Sequence, residues 1–148
     1  MKQKICKYLK DSPCYSKVSQ SLFFEILKHI KNKEDVKFAL HSGEQYFLLN
    51  QPFCKGLSVD FKYENVIIEF YGDFWHGNPE KYKPSDILHH PNNHVSAEKL
   101  WELDKKKVDW LTNKGYNVLV VWESEFTLNP KKTVEKCIEF INNNNKNK

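Results

Sequence analysis

Nowhere in the chain does an apolar run approach the length needed to cross a membrane, and the first residues, Met-Lys-Gln-Lys-Ile-Cys-Lys, lack a signal peptide's apolar core. Both absences argue against a membrane or secreted protein, so a cytoplasmic location is expected, or a host-cell cytoplasm if a phage encodes it. Cys6, Cys14, Cys54 and Cys137 form no CxxC pair, and reduced intracellular thiols are expected in preference to disulfides. The length of 148 residues gives room for one real core and not for two, hence none for a separate targeting domain. Charge of one sign is not abundant either. The net +4, from 23 basic and 19 acidic residues, suggests an anionic partner without proving one.

What the chain does have is concentrated between Ser58 and Pro79. A short strand around Leu57–Phe61 turns at Lys62–Asn65 and returns through Val66–Tyr71, a nearly continuous apolar run of the kind that fills the middle of a sheet. Two carboxylates interrupt it, Asp60 and Glu69. A turn centred on Tyr63-Glu64 would pair Asp60 with Ile67, making Asp60 and Glu69 diagonal neighbours on one face, about 7–8 Å apart at the backbone. Both could then reach one cation. An Asp near a hairpin end also caps or turns the chain, so Asp60 alone is ambiguous. Glu69, inside Val-Ile-Ile-Glu-Phe-Tyr, must lose hydration unless it is paired or bound to a cation. His76 follows the strand. Two acids and an imidazole at a sheet edge suggest metal-assisted hydrolysis.

Before this stretch, residues 1–15 read as an arm, and Ser19 as the N-cap of a helix that buries Leu22, Phe23, Ile26, Leu27 and Ile30. Glu25 flanks that stripe, where an exposed glutamate is the ordinary reading. Val36–Leu40 and Tyr46–Leu49 have strand character around a turn at His41–Glu44. Residues 79–95 read as a long irregular loop whose His89, His90 and His94 are either solvated or metal ligands. Ser96 caps a helix that ends near Lys114 with Gly115 beyond it. Its apolar stripe of Ala97, Trp101, Val108 and Leu111 is completed by Asp104, an expensive residue to bury unpaired. Lys99, Lys105, Lys106, Lys107 and Lys114 occupy the other faces, either as a solvated surface or as phosphate contacts. Asn117–Trp122 reads as a central strand, Pro130 opens a last amphipathic helix with Val134, Cys137, Ile138 and Ile141, and residues 142–148 read as a disordered Asn/Lys tail. The order implies an α/β domain with a mixed central β-sheet flanked by α-helices, spanning residues 16–141.

Gly72-Asp73-Phe74-Trp75-His76 resembles the Gly-x-Phe-Trp-His segment of very-short-patch-repair (Vsr) endonucleases. Trp101, Asp104, Leu111, Gly115-Tyr116 and Val118 through Glu123 resemble that family's closing helix and strand in the same order. The likeness is greater to Vsr-like endonucleases of phages and homing elements, with their Tyr-Gly-Asp-(Phe/Tyr)-Trp-His-Gly-Asn-Pro, and Ser16–Gln20 resembles their domain start. It covers residues 16–126 or so, and it is the combination that is specific. It implies a restriction-endonuclease-like (PD-(D/E)XK) fold and DNA cleavage dependent on Mg2+, or on Mn2+ in its place. It implies that Asp60 binds metal, that His76 is the active-site histidine, and that Asp104 and Glu25 match acids on the closing and first helices. There are departures. Tyr71 stands where a lysine is expected two residues after the second acid, Phe70-Tyr71 replaces a Thr-His, and Gly77-Asn78-Pro79 replaces structural zinc ligands. No structural zinc is therefore expected, and mismatch repair proper is disfavoured.

The expectation is a metal-dependent DNA endonuclease in which Asp60 and Glu69 hold the cation, His76 is general base or acid, Asp104 orients His76, and the helix lysines grip the DNA backbone. A non-catalytic DNA-binding module on the same fold, or a nuclease acting on RNA or branched DNA, is the alternative. Target choice would fall to loops, the N-terminal arm, a homodimer partner or a separate targeting protein.

Overall fold

The structure, a computed structural model, describes residues 15–51 and 54–145. The N-terminal arm up to residue 14 and the last three residues of the tail lie outside the described residues. The elements in order are helix α1 (Lys17–Leu27), a 3-10 turn (Lys33–Asp35), strands β1 (Val36–Phe38), β2 (Gln45–Gln51), β3 (Cys54–Val59), β4 (Phe61–Tyr63) and β5 (Val66–Tyr71), a short helix α2 (Asp73–His76), strands β6 (Ile87–His90) and β7 (Asn93–Ser96), helix α3 (Ala97–Asn113), strand β8 (Asn117–Trp122), and helices α4 (Glu123–Leu128) and α5 (Pro130–Asn144).

The central sheet has the order β1-β4-β5-β8. Its first three strands run antiparallel, and β8 joins β5 in parallel after the crossover through α3. The sheet is therefore mixed and flanked by helices, as the element order implies. Strand β5 is buried along its whole length, which is why its sequence is almost continuously apolar. Alternation sends Val66, Ile68 and Phe70 into the main core with Leu22, Phe23 and Ile26 of α1, Phe38, Phe61, Phe126, Cys137 and Ile141. It sends Ile67 to the other face, under Leu111 of α3. Glu69 and Tyr71 share that second face, two and four residues on from Ile67. Burial pushes the Cys137 thiol up to about 12, so it is an inert packing group there.

Several boundaries differ from the sequence reading. The cap of α1 is Ser16, whose hydroxyl accepts from the Ser19 backbone N–H, so the helix starts earlier than Ser19. The strand expected around Leu57–Phe61 breaks at Asp60: β3 pairs with β2 in an outer hairpin, and β4 enters the central sheet. Strand β2 consequently pairs with β3 and not with β1. The β4–β5 register is Phe61↔Ile68, Lys62↔Ile67 and Tyr63↔Val66, two residues from the expected one. The turn falls at Glu64-Asn65, with Glu64 at φ +52°, a choice that propensity does not favour for a glutamate. A shift of two leaves every side chain on its expected face. Strand β8 is an edge strand, half-buried over most of its length, and not a central one. The loop after His76 holds the β6–β7 hairpin, with Leu88 packed on Ala97 and Leu100. Helix α4 fills the stretch Glu123–Leu128 that carries no helical stripe of its own, and α5 continues into the first residues of the expected tail.

Candidate active site

Continuing the β4–β5 register by one step sets Asp60 directly opposite Glu69, closer than the diagonal arrangement expected. The pair interlocks. The Asp60 backbone N–H donates to Glu69 Oε1 at 3.0 Å, and the Phe70 N–H donates to Asp60 Oδ2 at 2.9 Å. Asp60 can do this because it sits at the break between two sheets, where its own N–H is not committed to a ladder. Glu69 is 1% exposed. Its second oxygen, Oε2, accepts from Lys107 Nζ of α3 at 2.5 Å. Lys107 is thus part of the acidic cluster, its side chain 21% exposed, and not a member of the outer basic face where its sequence neighbours place it.

After β5, Gly72 and Gly77 bracket the single turn of α2. Gly77 takes a left-handed φ of +61°, and a Cβ there would press on Ala97. This turn folds His76 back over Tyr71, with the rings stacked 4.0 Å apart at an interplanar angle of 7°. His76 Nδ1 lies 2.8 Å from Asp104 Oδ2. A carboxylate can only accept, so Nδ1 carries the proton and the other ring nitrogen keeps its lone pair in the neutral form. Trp101, one turn before Asp104, donates its indole N–H to the Gly77 carbonyl at 2.6 Å and so pins α3 to the end of α2. Asp104 is half-buried on the face turned to α2, and the helix's deep positions are Ala97, Leu100 and Leu111.

The rest of the α2 turn hangs on Asp73, buried at the first helical position. Asn78 Nδ2 (2.9 Å) and Ser124 Oγ (3.2 Å) donate to its Oδ1, and Lys81 Nζ (2.7 Å) to its Oδ2. Burial, the largest single effect, pushes its carboxyl up. The hydrogen bonds from Lys81, Asn78 and Ser124, with the Lys81 charge, outweigh it and hold Asp73 below the usual carboxylate range. A depressed folded-state value means stability present above the unfolded carboxylate's value of about 3.9 and lost as the pH falls through the folded value. Urea midpoints of the unmodified chain and Asp73→Asn should therefore differ at neutral pH and converge below about pH 4. A gap unchanged by acid would show that Asp73's charge stabilises nothing.

Tyr71 completes the cluster. It is 5% exposed, and its hydroxyl has no hydrogen-bond partner among the described residues. Burial first, and then the charges of Asp104, Glu69 and Asp60, push its phenol far above the ordinary tyrosine range. It is a neutral O–H near three acids, able to donate and unable to serve as a base. Sequence reading treats Tyr71 only as a missing lysine, and Lys107 only as one lysine of a solvated or phosphate-contacting face. The signals that could have found them are spacing: Tyr71 shares a strand face with Glu69, and Lys107 lies one helical turn from Asp104.

Other expected site residues lie elsewhere. Glu25 is half-exposed and pairs with Lys28 on its own helix, at 2.6 Å, with no contact to the cluster. Lys99 and Lys106 both pair with Glu102, Lys105 pairs with Asp109, and Lys114 lies 5.3 Å from the centre of the Trp110 ring. These four lysines face solvent, and Lys99, Lys105 and Lys106 are partly neutralised by acids of their own helix. His89 and His94 are exposed cross-strand partners, whereas His90 is buried, its Nε2 2.9 Å from the Phe74 carbonyl. Among the described residues no three His, Cys, Asp or Glu side chains gather as a metal cage. Mg2+ does not need one, since it commonly takes one or two carboxylates and fills its octahedron with water and phosphate oxygens. Asp60, Glu69 and Asp104 place three carboxyl groups around Tyr71, with the Lys107 ammonium on Glu69. Those carboxylate oxygens, with the unsatisfied Tyr71 hydroxyl beside them, are the hard oxygen donors that a divalent cation takes.

No helix among the described residues is long and apolar enough to cross a membrane. In comparisons with protein-family models, curated proteins and solved structures, the chain matches none.

Proposed function

We propose that the protein is a Mg2+-dependent DNA endonuclease of the Vsr-like kind, with a restriction-endonuclease-like fold. The observation that carries this reading is the interlocked pair Asp60–Glu69 on the central strand, with the His76–Asp104 pair beside it. The likeness of Gly72–His76 and Trp101–Glu123 to the Vsr-like endonucleases supports it. So does the sheet order, which brings a hairpin, a short helix and the crossover helix to one cluster.

Asp60 and Glu69 would hold the cation, which when bound would supply Lewis-acid polarisation of the scissile phosphate and would lower the pKa of the attacking water. His76, its Nδ1 proton held by Asp104, presents the lone pair of its other ring nitrogen and takes a proton from water as general base. Asp104 keeps the ring in that tautomer and stabilises the imidazolium that results. Stacking on Tyr71 restricts the ring to one plane. The neutral Tyr71 hydroxyl donates a hydrogen bond to an oxygen in the site. Phe74 and Trp75, exposed on the same turn as His76, offer aromatic faces on which bases can stack.

The test is nicking of a supercoiled plasmid with and without Mg2+, set beside single-stranded, branched and RNA substrates. Binding without cleavage under every condition would overturn the reading in favour of a DNA-binding module. Cleavage confined to RNA or branched DNA would keep the chemistry and change the substrate.

A further inference from the structure

We propose that Lys107 is the built-in counter-ion of this site, holding Glu69 until a divalent cation takes its place. The inference rests on the cation site proposed above and adds a competition to it. One backbone N–H does not offset the hydration that a carboxylate loses at 1% exposure, and the chain contains no arginine, since all 23 of its basic residues are lysine. Lys107 Nζ supplies the charge, 2.5 Å from Oε2. It does so with a flexible stem whose end is not sealed in, the side chain being 21% exposed. Oε1 is already taken by the Asp60 N–H, so Oε2 is the oxygen a cation shared with Asp60 would claim. A divalent cation and the ammonium therefore contend for one oxygen. The helix carries the device on one face: Asp104 fixes His76, and Lys107, one turn on, fixes Glu69. Once displaced, the ammonium is available to a phosphate oxygen of bound DNA.

The experiment is calorimetric titration of the full chain with Mn2+, without DNA, for the unmodified protein, Lys107→Met, Lys107→Arg and Asp60→Asn. Lys107→Met keeps the stem and removes the competitor, so Mn2+ should bind about tenfold more tightly, equivalent to about 1.4 kcal/mol. Its melting temperature should fall without metal, and Mn2+ should raise it by more than in the unmodified chain. Lys107→Arg retains the charge with a fork that suits a carboxylate, so Mn2+ should bind more weakly while the fold stays intact. This second variant decides the matter if Lys107→Met does not fold. Equal Mn2+ affinities in the unmodified chain and both lysine variants, at a site that Asp60→Asn removes, would overturn the counter-ion role and leave the nuclease reading standing. If the unmodified chain shows no Mn2+ site that depends on Asp60, the cation site itself is wrong and both proposals fall.

Discussion

Asp60→Asn is expected to give a folded protein that still binds DNA and does not cut it in Mg2+. Asparagine keeps the volume and an acceptor oxygen, so the Phe70 N–H retains its partner and the break between β3 and β4 keeps its shape. The Asp60 N–H still reaches Glu69 Oε1, because that bond comes from the backbone. Only the charge goes. The substitution is isosteric and keeps both hydrogen bonds, so the fold should stay intact, which a melting curve checks. The rate should not hold. A bound cation contributes several kcal/mol to transition-state stabilisation, and each 1.4 kcal/mol is tenfold, so a loss on the order of 10³-fold or more is expected. On the proposed reading lysines and not this acid would hold the DNA backbone, so salt-dependent DNA binding should change little. Cleavage at the unmodified rate, from a protein whose melting curve is unchanged, would remove Asp60 from the mechanism and with it the central assignment.

The acids of this cluster were legible in the sequence because burying a charge is costly wherever the chain puts it. Glu69 stands out within an apolar strand without any knowledge of the fold, and Asp104 interrupts an apolar helix stripe in the same way. Their partners were less legible. A pairing register depends on where a turn falls, and the positive φ at Glu64 is a tertiary outcome that propensity does not announce. The expected face survived only because the error was an even number of residues. Lys107 was hidden for another reason. In a run of three lysines, Lys105–Lys107, composition says solvated face, and only the helix's rotation about the sheet tells which of them turns inward. Strand β8 misled in the opposite direction. Its Val-Leu-Val-Val-Trp is as apolar as a central strand, yet it lies at the sheet's edge, where helices supply the cover that a neighbouring strand would.

Asp104→Ala should lower the cleavage rate by about 10²–10⁴-fold, the range that general acid–base catalysis commonly contributes, while costing little stability. Both ends of the His76–Asp104 pair are partly open to solvent, at 23% and 22% exposure, so water can take over what the partner leaves. The loss of one such hydrogen bond is worth about 1 kcal/mol, far from the 3–5 kcal/mol expected had Asp104 been sealed in the core. The half-buried setting thus favours a positioning role over a structural one. A positioning role also predicts a pattern that stability alone would not produce. If Asp104 acts through His76, removing it after His76→Ala should cost nothing further, and the double variant should cleave at the rate of the histidine variant. Asp104→Asn, which can still accept from Nδ1–H but carries no charge for the imidazolium, should fall between Asp104→Ala and the unmodified chain. Single-turnover nicking rates for the cycle, with melting curves for each variant, provide the measurement. Additive losses would mean that Asp104 acts on something other than His76. A large fall in melting temperature with near-normal turnover of the folded fraction would make the pair a structural tie between α2 and α3 and nothing more.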